Sequence, residues 1–129
     1  MLNKKIEIKL NGVAIPLWFN NYASAELQKM YGADITTVMN VLLEKLKDNY
    51  LIILSDLIKI GIKGNYLAKD TSKPEYLESV NEWVAEEPDE TLMLIWLEVW
   101  TIFSEHMGLN LPQEENPRKK KVNTRKAKV

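Results

Sequence analysis

Chemistry in a protein needs nucleophiles, proton carriers or metal ligands, and this chain is sparing with them: one histidine, no cysteine and 18 acidic residues among 129. Without thiolates and with a single imidazole, the usual metal ligand sets cannot be assembled, and no disulfide framework exists. The chain contains no Gly-rich phosphate loop, no G-x-S-x-G nucleophile turn and no H-E-x-x-H pair. Carboxylates alone could act as a general acid and base or hold magnesium, a route that stays formally open. No catalytic, cofactor-binding or metal-binding residue is assigned, and the chain is read as non-enzymatic.

Three other groups of residues could take part in recognition. His106 falls in the last turn of the final helix inferred below, where a partly positive imidazole interacts favourably with the carboxyl end of the helix dipole. That structural role is preferred to a ligand role. Trp96 and Trp100 could stack on a ligand or base, but they share a stripe with Leu92, Ile95, Val99 and Phe103. These six residues form the candidate protein interface, with core or subunit contact as their expected setting. Arg118, Lys119, Lys120, Lys121, Arg125, Lys126 and Lys128 could neutralise phosphates, yet the segment holds no aromatic residue for base stacking. A solvated extension is the preferred reading, and nucleic-acid binding is disfavoured.

The elements that position these residues follow from length and pattern. A chain of this length with 46% hydrophobic residues builds one core. The amino terminus lacks the continuous apolar stretch of a secretory signal, and the longest apolar run is the six residues Leu92–Leu97, against roughly 20 for a membrane span. A soluble, cytoplasmic protein without a membrane partner is expected. Residues 1–112 carry 10 basic and 16 acidic residues, whereas 113–129 carry 7 and 2, so a net −6 body bears a net +5 tail.

Ile6, Ile8 and Leu10 alternate with polar residues, and Asn11-Gly12 is a strong hairpin signal. The spacing predicts a hairpin over 4–19 in which Leu10 faces Val13, Ile8 faces Ile15 and Ile6 faces Leu17. Pro16 then opposes Glu7 at a non-hydrogen-bonded pair, where its missing N–H would have pointed outward. Asn20 or Asn21 caps a short helix with Ala23, Leu27, Met30 and Tyr31 on one face and Gly32 as its stop. Asp34 caps a second helix lined by Ile35, Val38, Met39, Leu42 and Leu46. A helix buried on most sides is predicted from Leu51 to Ile62, ending near Gly61 and Gly64, with a loop over 65–71. Ser72 and Glu75 pattern as a capping box, with Pro74 in the first turn of a helix lined by Leu77, Val80, Trp83 and Val84.

The acidic segment Glu86, Glu87, Pro88, Asp89 and Glu90 closes that helix and opens the last one. The final helix carries the six interface candidates and Met107 on a broad face, ends at Gly108, and has Met93, Leu94 and Leu97 on its other side. That is more apolar surface than one helix needs, which predicts packing against another subunit. Residues 113–129 are too polar to offset their ordering entropy and are expected to be disordered. The fold class is therefore α+β: a hairpin, a bundle of four to five helices over 1–112, and a basic tail. No fixed-period repeat appears.

This order resembles the tail assembly chaperones of long-tailed bacteriophages and their prophages, over residues 5–108. The segments that carry the resemblance are IEIKLNGVAIPLWFNNYASAELQKMYG, LIILSDLIKIGIKGNY and EEPDETLMLIWLEVW. The resemblance implies a protein of the bacterial cytoplasm that coats the tape measure protein during tail tube polymerisation and is absent from the mature virion. It also implies self-association into a homo-oligomer. Members often make a minor longer product by programmed ribosomal frameshifting, whose added domain recruits tail tube protein. The Lys119, Lys120 and Lys121 run can be written in adenine-only codons on which a ribosome can slip, or it is simply a solubilising charge cluster. The alternatives are a small phage or host regulatory adaptor and a basic-tailed nucleic-acid-binding protein.

Overall fold

The computed structural model describes residues 4–108. Strands β1 (Lys5–Leu10) and β2 (Val13–Trp18) form an antiparallel hairpin in the register expected from the Asn-Gly turn, with Ile8 opposite Ile15 and Glu7 opposite Pro16. Asn11 and Gly12 both take positive φ, 53° and 74°, which is what a two-residue turn of this hand demands. Ile8, Leu10, Ile15 and Leu17 are buried on one face. A two-stranded hairpin is marginal by itself, so these side chains, worth about 1.5–3 kcal/mol each when buried, hold it only because helices cover them.

Five α-helices follow: α1 (Asn21–Tyr31), α2 (Ile35–Asp48), α3 (Tyr50–Lys69), α4 (Val80–Glu86) and α5 (Asp89–Met107). The first two have the caps expected from their sequence. Asn20 Oδ1 accepts from the Ala23 N–H at 3.0 Å and Asp34 Oδ1 from the Thr37 N–H at 2.8 Å. Hydrogen bonding from Thr37 also holds the Asp34 carboxyl below its ordinary value. Gly32 ends α1 in the left-handed conformation. Met30, placed on the inner face of α1 by its spacing, is exposed instead, and Ala23 and Leu27 carry that face.

The central helix is longer than its sequence suggests. α3 runs 20 residues, through Gly61, Gly64 and the 65–69 segment expected to be a loop, and stops at Asp70 in the left-handed region. Both glycines are buried and neither terminates anything. They allow the hairpin to lie against the helix: a Cβ on Gly61 would stand 3.0 Å from Leu17 Cβ, and one on Gly64 only 2.2 Å from the Trp18 carbonyl oxygen. Asn20 secures the crossing, its Nδ2 donating to the Gly64 carbonyl at 3.1 Å while its Oδ1 caps α1. Ile53, Leu54, Leu57, Ile58, Ile60 and Ile62 are buried over more than half of the circumference, with Ile52, Asp56, Lys59 and Lys63 on the remaining side, so α3 is the axis of the core.

The Ser72–Glu75 capping box does not form. A 3-10 helix, Glu75–Ser79, starts behind an extended Pro74 with no side-chain cap, and α4 grows out of it. Leu77, Val80 and Val84 still reach the core, so the burial pattern is met by different local geometry. Pro88 precedes α5, Asp89 and Glu90 occupy its first turn, and Gly108 closes it. The expected domain boundary at 112 and the basic tail over 113–129 lie outside the described residues.

Candidate functional site

The aromatic residues of α5 form a ladder inside the domain. Tyr50 lies 5.4 Å from Trp96 between ring centroids, Trp96 stacks on Trp100 at 5.1 Å, and Trp100 contacts Phe103 at 5.7 Å. Phe103 ends the ladder edge-on to Phe19 at 5.8 Å. Of the six interface candidates, Leu92, Ile95, Trp96, Val99 and Phe103 are buried against this chain's own core, and Trp100 is half-buried. The stripe is thus committed to packing within the domain, because α3, β1 and Phe19 in the loop to α1 supply the apolar partners it needs.

The most exposed apolar side chains lie on the reverse of α5, where the sequence shows its surplus. Leu94 is 69% exposed, Leu97 56% and Met93 44%. Leu94 and Leu97 border a groove of about 510 Å³ completed by Ile6 of β1 and by Glu98, Thr101 and Ile102. The two-stranded sheet has no third strand among the described residues. Lys5, Glu7 and Lys9 occupy the non-hydrogen-bonded pairs, so their backbone N–H and C=O groups point away from β2. An open strand edge beside exposed leucines suits an extended or helical polypeptide and offers nothing to a small polar substrate. The sequence places Ile6 on the apolar face of the hairpin and does not single out Ile102; only the hairpin register combined with the packing of α5 brings them together.

Two polar contacts tie α1 to its neighbours. The Tyr31 hydroxyl donates to Asp56 Oδ2 at 2.8 Å, joining α1 to α3, and burial reinforced by that carboxylate pushes the phenol well above its usual range. His106 Nε2 shares a 3.0 Å hydrogen bond with the Ser24 hydroxyl, joining the end of α5 to α1. Burial lowers the imidazole pKa below 6.5, and the nearby Lys4 charge adds to this, while hydrogen bonding to the Asn20 backbone opposes it. His106 does lie in the last turn of α5, but the partly positive, dipole-favoured ring expected from the sequence is opposed by burial, which favours the neutral form.

A histidine whose folded pKa is depressed binds its proton more weakly in the folded than in the unfolded state. Its contribution to stability is full above about 6.5 and is lost as pH falls from there towards the folded value. The melting temperature is therefore expected to fall more for the natural chain than for His106→Gln between about pH 7.5 and 5.5. Parallel losses in the two proteins would show that carboxylates elsewhere carry the whole effect.

Among the described residues, no group of three or more His, Asp or Glu is placed to hold a metal ion, and no helix is long and apolar enough to cross a membrane. Lys119, Lys120 and Lys121 lie outside the described residues. No protein-family model, curated protein or solved structure matches the chain.

Proposed function

We propose that this chain is a non-enzymatic tail assembly chaperone of a bacteriophage or prophage, which binds the tape measure protein in the host cytoplasm and assists tail tube assembly. The observation that carries the reading is the exposed face of α5, Met93, Leu94 and Leu97, bordered by Ile6 and Ile102. A tape measure protein is a long helical chain with apolar stripes. A small domain offering an apolar strip of its own masks such a stripe at the cost of no chemical energy. Many copies along one client, weak singly, add up, and the same face serves contacts between copies in a homo-oligomer. The order of hairpin, helices and acid-flanked closing helix supports the family resemblance. The Lys119–Lys121 run supports a slippage site for a longer form that recruits tail tube protein.

The test is co-expression with the tape measure protein from the same gene cluster, keeping the natural downstream sequence and an amino-terminal tag on this chain. The expected result is a tape measure that stays in the supernatant and co-elutes with the tag. A minor longer tagged band should also appear and vanish when the lysine codons are recoded synonymously. A tape measure that precipitates equally with and without this chain would overturn the reading.

A further inference from the structure

A second apolar groove, on another side of α5, has a rim of unbalanced charge. It occupies about 430 Å³ between α3, α4 and the start of α5, with Leu51, Ile52, Val84, Ala85 and Leu92 as its apolar lining. Ile52 is 52% exposed, so an isoleucine on the central helix is left facing solvent. Asp56, Glu87 and Asp89 stand around this lining. Asp56 and Glu87 each accept one neutral hydrogen bond, from the Tyr31 hydroxyl at 2.8 Å and the Asn11 N–H at 2.7 Å. Those bonds orient the carboxylates without neutralising them. Among the described residues, no lysine, arginine or histidine nitrogen lies within 4 Å of any of the three.

The matching charge is in the chain itself. Residues 113–129 hold 7 basic residues and 2 acidic ones, and four of the basic ones are consecutive, Arg118 to Lys121, followed directly by Val122. The reach is sufficient. α5 has 19 residues, so its two ends are separated by about 28 Å. Ten residues lead from Gly108 to Arg118, a stretch that spans at most ~33–36 Å when extended. Gly108 takes the left-handed conformation, φ 71°, which turns the chain off the helix axis instead of continuing it. Pro112 and Pro117 favour an extended course between the two ends of α5.

We propose that residues 118–122 of the same chain occupy this groove, with Val122 on the apolar lining beside Ile52 and the basic run against Asp56, Glu87 and Asp89. Exposed ion pairs are individually weak, but a tethered segment samples its site at an effective concentration on the order of millimolar. The contact therefore forms without high affinity and can be displaced, and it yields when salt screens the charges. It involves a different groove from the one that borders Leu94 and Leu97, so it can hold whether or not a tape measure is the client.

The chain has no cysteine, so Lys120→Cys carries a single nitroxide label on the full-length protein. The expected result is that the Ile52 and Leu92 methyl signals and the Ala85 signal lose most of their NMR intensity, while those of Ala23 and Met107, at the far end of α5, lose least. Intensity should return at about 1 M salt, where the screening length is roughly 3 Å, and in the Ile52→Ser, Asp89→Asn variant, both of whose positions are exposed. Broadening that is absent, uniform over the surface or centred elsewhere would overturn the proposal. So would broadening of an isotope-labelled chain by a separate nitroxide-bearing copy, which would place the contact between molecules.

Discussion

Gly64→Ala should be the most damaging single methyl that can be added to this protein. In an exposed helix the change would stabilise by about 1 kcal/mol, because alanine loses less backbone freedom than glycine. Here the new Cβ would stand 2.2 Å from the Trp18 carbonyl oxygen, 2.9 Å from Asn20 Oδ1 and 3.1 Å from Ala23 Cβ. The nearest obstacle is backbone, which no rotamer change relieves. The second is the atom that caps α1, so retreat of one element loosens another. Overpacking of a filled core costs typically 1–3 kcal/mol and more when backbone must move. The net expectation is destabilisation by about 2 kcal/mol or more, a fall in melting temperature of roughly 10 °C for a domain of this size. Gly61→Ala should cost less, since its contacts at 3.0–3.2 Å are with the side chains of Leu17 and Phe19. Thermal melts of both variants decide the matter: a Gly64→Ala protein as stable as the natural chain would mean that the hairpin does not press on α3.

The same glycine marks where the sequence was hardest to read. A glycine near the end of an apolar helical run has two uses, as a left-handed stop or as a gap for another backbone. Gly32 and Gly108 are stops, with φ 66° and 71°, and both are followed by a change of pattern that announces it. Gly64 is a gap, and nothing in residues 60–69 distinguishes it, because the object that fills the gap is the carbonyl of a residue 46 positions earlier in the chain. The Ser72–Glu75 box failed for a related reason. Its residues have the right spacing, but Pro74 adopts an extended backbone and the chain enters a 3-10 turn, so the serine is never at the cap. By contrast, the hairpin register was fully legible from a period of two and one Asn-Gly pair, since both are local. For the final helix, the sequence shows a surplus of apolar residues on α5 but not which side is surplus: the aromatic side, which looks the more suited to binding, is the one the core takes up.

That assignment of faces yields the largest expected effect on binding. Leu94 and Leu97 are the most exposed large apolar residues of the described chain, at 69% and 56%. Replacing both by glutamine keeps helix propensity nearly constant, so the fold should be altered by little, within the ±0.5 kcal/mol or so usual at surface positions. If these side chains are what a helical client covers, their burial in the complex is worth about 1.5–3 kcal/mol each, less when coverage is partial. Losing roughly 2–4 kcal/mol weakens binding about 30-fold to several hundred-fold at 1.4 kcal/mol per decade. Trp96→Ala should do the reverse. Trp96 is buried between Tyr50 and Trp100, so its loss costs about 3–5 kcal/mol of stability. Any fall in binding would then follow the unfolded fraction. Calorimetric melts paired with client binding separate the two faces: a stable, non-binding Leu94→Gln, Leu97→Gln protein places the client on the outer side of α5. A stable double variant that binds unchanged would move the client to another surface, and a destabilised one would show that this side of α5 belongs to the fold.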